Sequence, residues 1–334
     1  MKRKPDPAHR RTDQELAALE SRIAAEYKRA ANEFSDKIDA YFEQFKKRDA
    51  EQKALIGTIV NGREYTAKDY QQWRLAQIGR GERFKALRDR LADRYTRANE
   101  VVAAYINGDM AKIYAMNHAY TIQAGKGPAD RALDNIDFAL FDEHTVKRLL
   151  VEQPDLMPYY PQKRAINRGI DLAYGKRQIT SVVTSGILQG QSINQMARHL
   201  MDRVTGMNQT SAIRAARTAV TQAENAGRQA AADELERKGA ILQKRWIAYD
   251  DNRSRIHNGV KIHVQADGQI VDSDKPFTVG GEELMFPGDG SMGASGWNIY
   301  NCRCARVTEI VGFRSMLTEE QRKQANIRAE IIND

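Results

Sequence analysis

Apolar residues recur at intervals of three and four through nearly all of the chain up to Lys238, and then the period changes. From Asp13 to Asp49 one stripe runs through Leu16, Leu19, Ile23, Tyr27, Phe34, Ile38, Phe42 and Phe45 amid dense mixed charge, which predicts a long amphipathic helix. After a break at Asn61-Gly62, a second helical pattern spans Ala67 to about Ile106 and is interrupted at Gly79-Arg80-Gly81. No strand precedes that Gly-x-Gly, so it reads as a helix break and not as a phosphate loop. A chain dominated by this period must stack helix on helix.

Between Asn107 and Pro161 the sequence turns choppy, with Gly125-Lys126-Gly127-Pro128 and the Pro154–Pro161 stretch as loops around a short helix near Thr145. Helices resume at Gln162. A pattern through Ile166, Ile170, Ile179, Val183 and Ile187 ends at Gly190, and Ser192 with Gln195 predicts a capping box opening the next helix. A third helix, from about Asn208 to Lys238, closes on Gly239. Small residues on its inward face, Ala216, Ala223, Gly227 and Ala231, allow close helix approach.

From Trp246 to Cys304 the chain changes character. Ile262, Val264 and Ala266 alternate with polar residues up to Asp267-Gly268, a dipeptide that supplies positive φ, so a two-residue hairpin is predicted there. Pro276 to Gly290 reads as loop, Ile299 to Val311 as a closing strand, and Thr318 with Gln321 as the cap of a charged C-terminal helix. The expected fold is α+β and predominantly α-helical, with extended N-terminal and central helices and a small C-terminal α+β domain containing a hairpin. The segments are 1–106 (charged helices), 107–161 (loop-rich connector), 162–240 (central helices), 241–312 (small α+β domain) and 313–334 (C-terminal helix).

Composition bounds the function. A net charge of +8 permits an acidic partner such as nucleic acid without requiring one, since solvated helix faces account for most of the excess. The opening MKRKPDPAHRR has no apolar core, so it is no secretory signal, and no apolar run approaches bilayer length. The chain is therefore expected to be made in a cytoplasm and to have no membrane segment. Its two cysteines, spaced Cys-x-Cys, cannot staple 334 residues as a disulfide framework.

Those cysteines carry the one metal reading. On a strand, Cys302 and Cys304 would project to one side and Arg303 to the other. With a histidine from the predicted hairpin, His257 or His263, they make a three-ligand start on a tetrahedral zinc site, whose fourth position falls to the other histidine, Asp250, Asp251 or water. Buried structural thiols are the competing and commoner reading. A histidine base beside metal ligands would also suit a zinc-dependent nuclease or effector using His257, His263, Cys302 and Cys304. No phosphate-binding loop, His-Glu-x-x-His helix or nucleophile elbow accompanies it, which weakens an enzymatic reading. Asp250, Asp251, Arg253 and Arg255 read as a local salt-bridged loop, and Trp246 and Trp297 as core plugs.

Together these residues resemble the phage Mu F-like minor head proteins, the phage head morphogenesis family. The resemblance rests on Ile187-Leu-Gln-Gly-Gln-Ser192, Arg217-Thr218, Trp246, Asp250 or Asp251, Arg253-Ser-Arg255, a histidine before a Gly turn, Pro276-Phe277, Pro287-Gly288-Asp289 and Asn301-Cys302-Arg303-Cys304. The family pattern has Arg-Thr-Glu in the third helix; here Ala219 follows Thr218, so that carboxylate is either absent or displaced to Glu224. The family histidine matches either His257, ahead of Asn258-Gly259, or His263, ahead of Asp267-Gly268. The resemblance implies a low-copy structural protein of a tailed-phage head, associated with the portal protein and the capsid or scaffold subunits and needed for assembly or genome delivery; the residues themselves agree, with a basic balance tolerant of packaged double-stranded DNA, no catalytic set and no certain cofactor.

Overall fold

The computed structural model describes residues 6–124, 166–250, 254 and 256–313. Its fold is α+β and predominantly helical, as the periodicity predicts. Helix α1 spans Pro7–Ala54 and α2 Ala67–Arg74, which passes into a π turn, Leu75–Gly79. Helix α3 spans Glu82–Ala124, α4 Arg168–Leu188 and α5 Ile193–Arg237. Strand β1 (Ile59–Val60) pairs with β2 (Arg63–Glu64) around Asn61-Gly62, both at positive φ, so the break expected there is a tight hairpin. The C-terminal part holds β3 (Ala240–Ile247), a single helical turn α6 (Ile262–Gln265), β4 (Ile270–Asp272), β5 (Phe277–Val279), β6 (Glu282–Leu284), the turn α7 (Gly296–Ile299) and β7 (Ala305–Phe313).

The chain forms two compact units that cut across the linear segmentation. One comprises Leu16–Gly108 and Lys163–Ala216; the other comprises Met1–Glu15, Asp109–Gln162 and Arg217–Asp334. In the first, the α1 stripe is buried as predicted, with Leu19, Ile23, Tyr27, Ile38 and Phe42 at 1% exposure or less. Phe84, Leu91, Ile106, Ile179, Val183 and Ile187 join the buried set. The unwound π turn leaves the Ile78 carbonyl free to accept the Tyr41 hydroxyl at 2.6 Å. Arg74, 2% exposed, pairs with Asp49 and donates to the Gln191 carbonyl.

In the second unit, β3 is the centre of an antiparallel sheet ordered β4-β3-β7, and β5-β6 form a separate hairpin turning on Gly280-Gly281. The apolar core behind this sheet is Trp246, Ala266, Phe277, Val279, Leu284, Cys302 and Cys304.

Several expectations are corrected. The connector does not begin at 107: α3 continues through Asn107-Gly108 to Ala124. One helical glycine costs roughly 1 kcal/mol, and burial of Ile106, Met110, Ile113 and Tyr114 on either side outweighs it. The loops and short helix expected within 125–161 lie outside the described residues, as does the helix expected from Thr318. Instead of two helices meeting near Asn208, α5 is continuous for 45 residues; Asn208 turns its side-chain amide back to the Val204 carbonyl and does not cap. Its start does carry the predicted Ser192–Gln195 box, and Gly239 sits at φ +96° beyond its end. The predicted strand Ile262–Ala266 is the helical turn α6, because Ile262, His263 and Ala266 are the buried positions, an i, i+1, i+4 set that a strand cannot present on one face. Asp267-Gly268 does turn the chain, with Gly268 at φ +83°, but it delivers β4 to β3.

The small-residue face of α5 does allow the expected close approach. A Cβ built on Gly227 would lie 2.3 Å from the Tyr114 carbonyl oxygen of α3. Gly227→Ala should gain the roughly 1 kcal/mol of helix propensity that alanine offers, yet lose more by forcing two backbones apart, for which overpacking costs of about 1–3 kcal/mol are usual. Urea denaturation should find the variant less stable than the parent; a more stable variant would show that this contact is slack.

Candidate metal centre

One face of α5 organises the irregular chain ahead of β7. Thr218, Thr221, Asn225 and Arg228 follow one another at three- and four-residue spacing, so their side chains leave the helix in a row. The Thr218 hydroxyl accepts the Asn301 amide N–H at 2.9 Å, and the Thr221 hydroxyl donates to the Cys302 carbonyl at 2.6 Å. Asn225 donates to the Cys304 carbonyl and accepts the Arg306 amide N–H. Arg228 donates to the Arg306 carbonyl. With Asn301 in the left-handed region at φ +58°, the chain bends, and the Cys304 amide N–H points back at the Cys302 sulfur, 3.3 Å away. Cys302 and Cys304 thus precede β7 and are gathered by a bend; the strand alternation expected of them is not what brings them together.

The third member is His263, on the α6 turn. Its Nδ1 lies 3.3 Å from the Cys302 sulfur and 3.5 Å from that of Cys304. The tautomer follows from its other side. Asn298 donates both amide hydrogens, to the Val279 carbonyl and the Glu282 carboxylate, so its Oδ1 is the acceptor facing His263 Nε2 at 2.7 Å. Nε2 therefore carries the proton and Nδ1 turns a lone pair to the two sulfurs. All three side chains are buried, at 3% to 5% exposure. The hydrogen bond from Cys304 pulls the Cys302 thiol well below its ordinary value against the effect of burial; the same sharing, with burial, pushes Cys304 up. The Trp246 indole packs edge-on against the imidazole, and its N–H has no oxygen or nitrogen acceptor.

The other sequence-derived residues fall into place around this centre. His257 does not join it: its ring stacks on Trp297 at 4.0 Å, at a small bridge turned by Asn258-Gly259. Trp246 is fully buried, whereas Trp297 is only partly so. Asp250 pairs with Lys261 at 2.5 Å; Asp251, Arg253 and Arg255, the remainder of the expected salt-bridged loop, lie outside the described residues. In Pro287-Gly288-Asp289, the Gly288 carbonyl accepts from Gln222 of α5, and the Asp289 carboxylate accepts the amide N–H groups of Met285 and Ser291 and the Ser291 hydroxyl. Arg303 reaches Asp13 at 2.7 Å and lies over the Tyr249 ring.

A buried polar cluster adjoins this region that the sequence reading missed. Arg228 donates through Nε to Asn117, through Nη1 to Asp6 and the Arg306 carbonyl, and through Nη2 to Asp6 and Glu224. The Glu224 carboxylate also holds His9 Nδ1 at 2.8 Å, and the His9 ring stacks flat on Tyr249. The sequence pointed only to Glu224, as the place to which the Arg-Thr-Glu carboxylate could be displaced, and to its i,i+4 pairing with Arg228, which is indistinguishable from a solvated pair.

Residues 177–307, from within α4 through α5 to the start of β7, match the family model described as Phage Mu protein F like protein. That span carries a Mu F-like segment, as the resemblance implied. A curated relative, NAD(+)--arginine ADP-ribosyltransferase EFV of Enterococcus faecalis (strain ATCC 700802 / V583), is 26% identical over 144 residues, which is 43% of this chain and 28% of that protein. The chain thus spans under a third of that relative's length. No solved structure matches. Within the Mu F-like segment fall the whole α5 row, His263, both cysteines and the Pro-Gly-Asp turn.

Two predictions follow from the charged cluster. Arg228→Met should strand Asp6, Glu224 and Asn117 in the interior and cost about 3–5 kcal/mol, the usual effect of removing one partner from a buried ion pair, measured by denaturant unfolding; a loss under 1 kcal/mol would mean the cluster is solvated. His9 is pushed down by burial and by Arg228, but the charge and hydrogen bond of Glu224, with Asp13, outweigh both and raise it above 6.5. Its contribution to stability is then fully present below about pH 6.5 and lost as pH rises through the raised value. The stability difference between the parent and His9→Gln should therefore shrink as pH rises from 6, in paired unfolding curves; a difference that grows would reverse the sign.

Proposed function

We propose that this chain is a structural minor head protein of a tailed bacteriophage, associating with the portal protein and the inner capsid or scaffold subunits and needed for head assembly or genome packaging and delivery. The observation that carries this reading is the Mu F-like match over residues 177–307. The architecture is compatible with it. Long, charge-rich helices offer docking surface, and among the described residues no helix is long and apolar enough to cross a membrane. The chain is made in the host cytoplasm and ends in the virion head, near the portal. Its +8 balance suits basic faces set against packaged double-stranded DNA, a contact that would weaken steeply with salt as counterions are released.

The zinc nuclease is the weaker reading. His263, Cys302 and Cys304 are buried and turned toward one another, and His257, the second histidine such chemistry would use, is stacked on Trp297. The activity in the name of the E. faecalis relative belongs to a protein of which the match covers 28%, and it is not carried over.

Expressing the phage's head genes together and isolating procapsids on a density gradient tests the proposal. The chain should copurify with procapsids at low copy and be lost from particles assembled without the portal protein. Procapsids that contain portal but none of this chain would overturn it.

A further inference from the structure

We propose that His263, Cys302 and Cys304 together bind one zinc ion, which ties the α6 turn to the bend ahead of β7. The geometry is already that of a ligand set. Zinc holds thiolate sulfur at about 2.3 Å and imidazole nitrogen at about 2.0 Å, so a tetrahedral site separates nitrogen from sulfur by about 3.5 Å. His263 Nδ1 lies 3.3 and 3.5 Å from the two sulfurs, and all three ligand atoms fall within 4.8 Å of one another.

The surroundings are those of a metal site and not of a chance cluster of core residues. A zinc-bound histidine commonly donates its distal N–H to a fixed acceptor, which sets the tautomer and turns the lone pair inward. Asn298 does this for His263 and is itself held by Glu282 and the Val279 carbonyl. Thiolates in such sites accept N–H groups. Cys302 receives the amide N–H of Cys304 at 3.3 Å. One imidazole and two sulfurs suit zinc over magnesium or calcium. Among the described residues no fourth side chain completes the set, so a water or an exogenous ligand takes the remaining tetrahedral position. Because His263 and Cys302 are 39 positions apart, the ion would close a long loop between β3 and β7, a stretch in which the described strands are three residues each. Its role is to brace the fold.

This inference stands apart from the proposed function, since metal content is read on the isolated chain whatever the chain assembles with. The experiment uses the full chain, without a histidine tag, purified from zinc-supplemented cells and dialysed against weak chelator. Elemental analysis should find one zinc per chain, released when a mercurial titrates the two thiols. Cobalt exchanged into the site should give the intense visible bands of tetrahedral coordination and a thiolate charge-transfer band. Strong chelator should lower the melting temperature by several degrees. Cys302→Ser and His263→Gln should each abolish stoichiometric zinc, and His257→Gln should keep it. A folded parent chain with no bound metal and two freely titrating thiols overturns the proposal, as does iron or copper in place of zinc, or zinc retained by the Cys302→Ser, Cys304→Ser double variant. The parent measurements need no variant, so a substitution that fails to fold leaves the test intact.

Discussion

A guanidinium can be buried only if its donors find acceptors, and Arg228 satisfies all five. Its partners come from four places: Asp6 ahead of α1, Asn117 of α3, Glu224 of its own helix and the Arg306 carbonyl of β7. The Asp6 contact spans 222 positions of sequence. No apolar contact could impose this, because dispersion has no direction, whereas a planar fork accepts its partners in one arrangement. The unit that holds β3 to β7 therefore includes the first residues of the chain, with His9 seated on Tyr249 and Asp13 on Arg303.

Helix α5 reconciles two demands that usually conflict. Close packing against α3 needs small residues, and the buried Gly227, with Ala223 and Ala230 at 1% exposure or less, supplies them. The bent segment 301–306 needs hydrogen-bond partners, since each buried carbonyl left unmet costs about 1–3 kcal/mol. Thr221, Asn225 and Arg228 supply those from an adjacent face. The helical period makes both possible on one rod. Irregular backbone can then sit in the core beside Trp246, and Cys302 and Cys304 can face His263 without any strand to align them.

What could be read in the sequence followed how much each signal repeats. The α1 stripe, the capping box at Ser192 and the close packing at Gly227 all rest on a period or a local pair, and all are present. The short strands Phe277–Val279 and Glu282–Leu284 were missed because three residues hold no period. Ile262–Ala266 was misread for a related reason: over five residues, alternation and an i,i+4 pair pick out the same apolar ends, and only burial of His263 between them decides for a helical turn. The choice between His257 and His263 could not be made from turn chemistry, because Asn258-Gly259 and Asp267-Gly268 both turn the chain. In the structure His263 faces the two cysteines, held from behind by Asn298, a partner 35 positions away that no local pattern points to. The charged cluster was hidden for the opposite reason. Asp6, His9 and Asp13 lie in a run so polar that solvated faces were the natural reading.

Among the described residues between Trp246 and Cys304, several polar side chains are spent on holding the fold. A reacting group must present its donor or acceptor to a space that substrate can enter. Asp289 gives its carboxylate to the amides of Met285 and Ser291, Asn298 gives both amide hydrogens to the β5-β6 hairpin, and Arg303 gives its guanidinium to Asp13. Each has turned its chemistry inward, to hold backbone or a neighbouring side chain that small strands and a bend cannot hold alone. In a module this poor in regular sheet, polar side chains do the work that long strands do elsewhere.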